Sequence, residues 1–190
     1  MHPDIQEGIT LLWILLVAIW LVSWMSAKRA VRRQSWSSRI LQGSLVAGGY
    51  VLMFNHSLRL GPLQENFAPD TAAIAWSGLA VTAAGIYLAI WARFAIGRNW
   101  SGTVTVKEDH QLIRRPPYTL VRHPIYSGIL LASLGTALAA REYRGLVGMV
   151  LVFIGFWVKL RLEEQFMTEQ FGTEYTRYKQ EVKALIPHLL

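Results

Sequence analysis

The chain has 190 residues, 53% of them hydrophobic and 16% charged, with a mean hydropathy of +0.29 and a formal net charge of +7. An average soluble domain carries about 25% charged residues, so the deficit points to lipid. The absence of cysteine excludes disulfides, thiolate metal sites and a cysteine nucleophile; the cations sit in loops between apolar runs, which argues against nucleic acid and for control of membrane topology.

Five apolar runs follow one another. Ile9 to Met25 is almost entirely apolar and continues to Ala27, matching the roughly 20 residues that a bilayer core requires. Its flank, Met1 to Gly8, holds Asp4 and Glu7 but no Lys or Arg, and no small-residue cleavage site follows. The run therefore reads as a true span and not a secretory signal. The second run, 40–60, is interrupted by Gln42, Asn55 and His56. The third, 71–96, is rich in Ala and Gly, which let membrane helices approach closely. The fourth and fifth, 126–140 and 145–160, are separated only by Arg141 to Arg144, the spacing of a tight helical hairpin. The expected fold is all-α: a polytopic membrane bundle of about five helices, forming a single domain over 1–190.

Loop charges orient it. Lys28, Arg29, Arg32, Arg33 and Arg39 crowd the first loop, and Arg98, Lys107, Arg114, Arg115 and Arg122 the third. The positive-inside rule places both in the cytoplasm, the N-terminus outside and the C-terminus inside.

Two segments break the pattern of span and short connector. The loop 97–125 is long enough to expect a functional role. Its apolar residues, among them Leu112, Ile113, Tyr118 and Val121, anchor it, while Pro116, Pro117 and Pro124 fix backbone angles and prevent a continuous helix. The tail 161–190 repeats apolar residues at helical spacing, as an amphipathic helix on the membrane or the loop does. Gly172 marks a break within it. Glu163 and Glu164 directly follow the last span.

Each candidate residue has two readings. His123 before Pro124 is either a plain helix entry or a functional pair. Arg122 either snorkels to the interface or binds a ligand. Lys159 and Arg161 are topology anchors or substrate contacts; the glutamates are a dipole-stabilised turn or a site. A metal site is not expected: His110 and His123 are thirteen positions apart, without a helical histidine pattern. No G-x-G-x-x-G after a strand and no Walker lysine is present.

The order of short motifs is more specific than any one of them. NWS (99–101), H-x-L-I (110–113), Y-x-x-x-R-H-P-x-Y (118–126) and E-E followed by F-G-x-x-Y-x-x-Y (163–178) together resemble the isoprenylcysteine carboxyl methyltransferase family, to which phospholipid methyltransferases are related. The resemblance covers about the C-terminal half, Arg93 to Pro187. It implies an integral membrane enzyme moving a methyl group from S-adenosylmethionine to a lipophilic acceptor. It implies that His110, Leu112, Ile113, Tyr118, His123, Pro124 and Tyr126 line the cofactor pocket, that Glu163 meets the cofactor's polar end, and that Glu164 supports it. Lys159, with Arg161 as a substitute, and Arg122 would face the substrate. One departure is Pro116, where the family commonly has glycine. The cationic set favours an anionic acceptor, a carboxylate of the isoprenylcysteine type. A phospholipid amine acceptor, a sterol-reductase-like use of NADPH and a non-catalytic scaffold are the alternatives. The expected partners are a lipophilic or lipidated substrate entering from the bilayer and membrane lipid, without nucleic acid. The compact length and lack of eukaryotic sorting signals lead to the expectation of a prokaryotic inner membrane.

Overall fold

The structure is a computed structural model that describes residues 3–24, 30–55, 57–97, 100, 105–107 and 112–190, with only the backbone for 30–33 and 105–107. Its elements are α1 (Pro3–Trp24), β1 (Ala30–Arg33), α2 (Trp36–Phe54), α3 (Ala72–Ile96), β2 (Thr105–Lys107), α4 (Pro124–Ala140), α5 (Tyr143–Phe171) and α6 (Thr173–Glu181). A short 3-10 turn, Gly61–Gln64, lies between α2 and α3.

Among the described residues three helices, α1, α3 and α5, are long and apolar enough to cross a bilayer, as befits an integral membrane protein. The 17 residues of α4, at about 1.5 Å each, fall short of the roughly 30 Å core. They are instead buried along their length against α3. That pairing runs on small residues: a Cβ placed on Gly85 would stand 2.3 Å from the backbone nitrogen of Ala132, and one on Gly135 would stand 2.3 Å from that of Thr82. With no hydrophobic drive between helices in lipid, such close backbone approach supplies the packing energy. The second close pair is α2 with α5, where a Cβ on Gly49 would lie 2.5 Å from the carbonyl oxygen of Gly148. The indole of Trp13 donates to Thr136 across α1 and α4 at 3.0 Å, satisfying two polar groups at membrane depth.

Contacts at the two ends follow the alternating topology. At one end β1 and β2 pair antiparallel, Ala30 opposite Lys107 and Arg33 opposite Thr105, so the first and third connections share a face. This ribbon is an addition to the expected all-helical plan. At the other end the amide of Phe67 donates to the carbonyl of Arg141 (2.9 Å) and that of Tyr143 to Glu65 (3.2 Å). Arg141 there is buried, and its guanidinium meets Asp70 at 2.7 Å.

The boundaries shift in informative ways. The segment before Ile9, expected as a polar flank, is helical from Pro3. The second helix ends at Phe54 rather than near Leu60. The α4–α5 turn takes two residues, with Arg141 left-handed at φ 62°, so Tyr143 and Arg144 already belong to α5. The largest difference is at the tail. Instead of a fresh helix after residue 160, α5 runs unbroken to Phe171 and ends at Gly172, φ 55°. Apolar and charged residues both suit a helix, so no breaker separates span from tail. About 20 residues of α5 cross the core, counting from Tyr143 to Leu162, which sets Glu163 and Glu164 at its exit.

Candidate functional site

At that exit the motif segments converge. His123 precedes α4 with φ −124° and ψ 60°, and Pro124 takes the first helical position, where its missing N–H costs nothing. This fixes the entry angle of α4 and turns the His123 ring parallel to Tyr126, with centroids 5.4 Å apart and planes at 3°. Tyr126 stacks in turn on Phe156 of α5 at 5.0 Å.

The acidic pair meets this stack. The hydroxyl of Tyr126 donates to Oε2 of Glu163 at 2.5 Å, and Nδ1 of His123 lies 3.9 Å from the same oxygen. Deeper in the protein, Arg122 donates to Oε1 of Glu164 through Nε (2.7 Å) and Nη2 (2.5 Å), while Nε2 of His123 stands 3.3 Å from it. The two glutamates differ in access: the Glu164 side chain is 10% exposed and that of Glu163 30%. Glu164 is a buried, paired carboxylate; Glu163 is the more accessible of the two.

Arg122, expected on the substrate side, commits its guanidinium to Glu164 and to two tail carbonyls, Lys179 at 3.2 Å and Val182. The tail also grips the motif by backbone: the amides of Arg122 and His123 donate to Lys183 (2.8 Å) and Ala184 (2.9 Å), and the hydroxyl of Ser127 to Leu185 (2.6 Å). Sequence reasoning missed this clamp, because carbonyl acceptors leave no side-chain signature. Its one visible sign is the second tyrosine of the Y-x-x-Y motif. Tyr178 donates to the carbonyl of Tyr118 at 2.5 Å, and burial pushes its phenol up to about 12.

The other expected residues divide. Tyr118 is buried with its hydroxyl on the carbonyl of Ala92, 3.3 Å, and burial raises its phenol far above the ordinary value. It anchors the loop to α3. Ile113 packs on the main core, and Leu112 on the cluster of Met167, Tyr175 and Tyr178. Lys159 lies one turn before Glu163, its ammonium 5.3 Å from the centre of the Tyr126 ring. Arg161 points elsewhere: it is exposed and stacks on Trp157 at 5.4 Å. His110 lies outside the described residues, as do Asn99 and Ser101. Trp100 of the same motif is buried beneath the guanidinium of Arg93, 4.5 Å away.

Beside Lys159 a cavity of 420 Å³ opens between α2 and α5. Phe156, Lys159 and Arg39 are among the residues that line it. Sequence patterning offered Arg39 only as a topology charge.

A membrane helix bundle with a buried carboxylate–arginine–histidine cluster at one mouth, beside a half-open cavity between two of its helices, defines the class: polytopic membrane helix proteins with a polar site at one end of the bundle. Residues 73–174, just over half of the chain, match the family model described as phospholipid methyltransferase, and the chain belongs to that family. It is similar to a rice protein (Oryza sativa subsp. indica) named as a probable protein-S-isoprenylcysteine O-methyltransferase, 30% identical over 119 residues, covering 61% of this chain and 62% of the relative. It is likewise 30% identical over 159 residues to the protein-S-isoprenylcysteine O-methyltransferase of Saccharomyces cerevisiae, covering 76% of this chain and 66% of that one. The chain thus spans somewhat under two thirds of the length of these relatives. Among solved structures, the eukaryotic intramembrane Ras methyltransferase, an isoprenylcysteine carboxyl methyltransferase, superposes with a TM-score of 0.58 at 23% identity, over 84% of this chain and 55% of the other. That likeness is one of fold.

Proposed function

We propose that this protein is an integral membrane methyltransferase that uses S-adenosylmethionine to methylate a carboxylate on a lipophilic acceptor of the isoprenylcysteine type. The observation that carries the reading is the meeting of Arg122, His123 and Tyr126 with Glu163 and Glu164 at the mouth of the bundle. The donor set fits the cofactor. Glu163 offers a reachable carboxylate for an ammonium, and the stacked rings of His123, Tyr126 and Phe156 offer aromatic faces to a sulfonium. His110, Leu112 and Ile113 would complete the pocket, with Pro124 fixing its floor.

When bound, S-adenosylmethionine supplies an electrophilic methyl group whose transfer to a carboxylate oxygen leaves a thioether and an ester, with no proton to remove. The protein's part is alignment and exclusion of water. Arg122 and His123 hold Glu164, and through the shared backbone they hold Tyr126 against Glu163. Lys159 sets a cation beside the acceptor. A carboxylate, with a reference pKa of about 3.3–4.3, arrives ionised and needs only placement. An amine acceptor, favoured by the family model's description, requires a base to take its proton, a step that a carboxylate acceptor does not need. By the loop charges, the mouth that takes the cofactor faces the cytoplasm and the N-terminus lies outside; a lipophilic acceptor enters from the bilayer.

Calorimetric titration with S-adenosylhomocysteine tests the site. Glu163→Ala and His123→Ala each lower affinity by at least about tenfold, the worth of one charge-assisted contact, while both proteins remain folded in detergent. Unchanged affinity in both variants contradicts the assignment.

A further inference from the structure

We infer that Arg93, buried at the C-terminal end of α3, is a positioning residue for the methyl donor: it ties the ends of α1 and α3 to Trp100 and so fixes the loop that carries the cofactor motifs. This rests on the methyltransferase reading and extends the site to α1, which lies outside the segment matched by the family model.

An arginine in the last turn of a span ordinarily extends its head outward to water and head groups. Arg93 is in that last turn, yet it is 3% exposed. An ionisable group held inside a membrane bundle is costly and needs partners. The partners of Arg93 are two helix ends. Nη1 donates to the carbonyl of Gly97, which closes α3, at 2.8 Å, and Nη2 to that of Ser23, in the last turn of α1, at 3.1 Å. The last carbonyls of a helix lack intrahelical partners and carry the negative end of its dipole. One planar guanidinium serves both ends and holds the two helices at a fixed separation, which a flexible ammonium does less well. Its Nε is buried without an acceptor among the described residues, and the group lies over the Trp100 ring, 4.5 Å from its centre.

Trp100 links this joint to the site. Its amide donates to the same Gly97 carbonyl at 3.3 Å, closing the turn by which the chain leaves α3. Gly97 makes that turn at φ 59°, a conformation that glycine adopts without strain. The buried Trp100 ring stands edge-on to Trp20 of α1, 5.9 Å between centroids, and belongs to the same core cluster as Tyr118 and Tyr126. The returning arm of the loop is anchored on the same turn of α3. The hydroxyl of Tyr118 donates to the carbonyl of Ala92 at 3.3 Å, and Arg115 donates to that of Ala95 through Nε (3.1 Å) and Nη2 (2.7 Å). Both arms of the loop therefore hang on residues 92–97, and Arg93 binds that turn to α1. The carbonyl of Tyr118 also receives the hydroxyl of Tyr178, so a displaced turn shifts the R-H segment and its tail clamp together. In this way the end of α1 bears on His123 and Glu163 without touching either.

Arg93→Met, which keeps an apolar stem but neither the charge nor the donors, and Trp20→Leu test the coupling in purified protein in detergent. Calorimetric titration with S-adenosylhomocysteine gives an affinity at least about tenfold below wild type for Arg93→Met and about threefold below for Trp20→Leu, the worth of one aromatic pair. Arg93→Lys recovers only part of the loss. Because both side chains act through Trp100, the double variant binds no more weakly than Arg93→Met alone. With N-acetyl-S-farnesylcysteine as a carboxylate acceptor probe, KM for S-adenosylmethionine rises in parallel, while kcat at saturating donor and KM for the probe stay within about twofold of wild type. Amide exchange across 112–121 quickens in Arg93→Met and that of α5 is unchanged. An arginine with a purely structural role gives a lower thermal midpoint with wild-type donor affinity; that result overturns the inference, and so does an additive double variant. Should Arg93→Met fail to fold, wild-type affinity in both Arg93→Lys and Trp20→Leu overturns it equally. Wild-type protein that binds no S-adenosylhomocysteine overturns the methyltransferase reading itself, an outcome distinct from loss of the coupling.

Discussion

Arg122 and Glu164 form the tightest charge pair of the site, with side chains 9% and 10% exposed. Breaking a buried pair by removing one partner costs far more than the pair contributes, because an uncompensated charge remains. Arg122→Ala therefore destabilises the protein by about 3 kcal/mol, seen as a lower thermal midpoint in detergent, and lowers cofactor affinity with it. Arg122→Gln retains part of the hydrogen bonding to the tail and falls between. An Arg122→Ala protein of wild-type stability with selectively slow turnover restores the substrate-side role that the sequence resemblance implies for this residue. The motif R-H-P and the pair E-E are legible as chemistry in the amino-acid sequence alone, since polar residues at a membrane exit need partners. Which partner each takes is not: the adjacent Glu163 and Glu164 look alike in sequence, and only the path of α5 past His123 makes one buried and the other open.

At the scale of elements, α5 and the tail do the positioning. The helix carries Lys159, Glu163 and Glu164 on one continuous rod, so their relative placement is set by helical geometry and not by a flexible join. The tail after α6 then clamps the R-H segment by backbone hydrogen bonds. Tyr178 ties the clamp to the loop, and its phenol titrates at about 12, raised by burial from the ordinary value near 10. A raised folded value means that this contribution is fully present below about pH 10 and is lost as pH rises through about 12. Tyr178→Phe removes roughly 1 kcal/mol at neutral pH and flattens part of the alkaline loss of stability, which melting in detergent between about pH 9 and about pH 12 measures. A mutant with an unaltered alkaline slope contradicts the role given to the phenol. Helix content along the chain is readable from apolar runs. The continuation of α5 to Phe171 is not, because the pattern changes from apolar to amphipathic at residue 161 without a breaker, and a change of environment looks in sequence like a change of element. The β1–β2 ribbon is unreadable for another reason: its two partners lie in loops far apart in the chain, and each is too short to show alternation.

At the scale of the whole molecule, small residues pack two close helix pairs, and connections meet at both ends in agreement with alternating topology. The charge bias of the loops is the basis for the proposed orientation, and the cysteine-free sequence makes that orientation directly testable. Ser57→Cys, exposed in the second connection, reacts with a membrane-impermeant maleimide in intact cells. Ser37→Cys, exposed at the start of α2, reacts only after permeabilisation. The reverse pattern inverts the assignment of the cofactor side. The cavity between α2 and α5 belongs to this scale as well, since neither helix alone reveals it. The account as a whole turns on one chemical outcome: transfer of a labelled methyl group from S-adenosylmethionine, by the purified protein in lipid, to N-acetyl-S-farnesylcysteine offered alongside phosphatidylethanolamine. Label recovered as a base-labile methyl ester, with the amine lipid unmodified, is the result expected; label on the amine, or on neither, contradicts it.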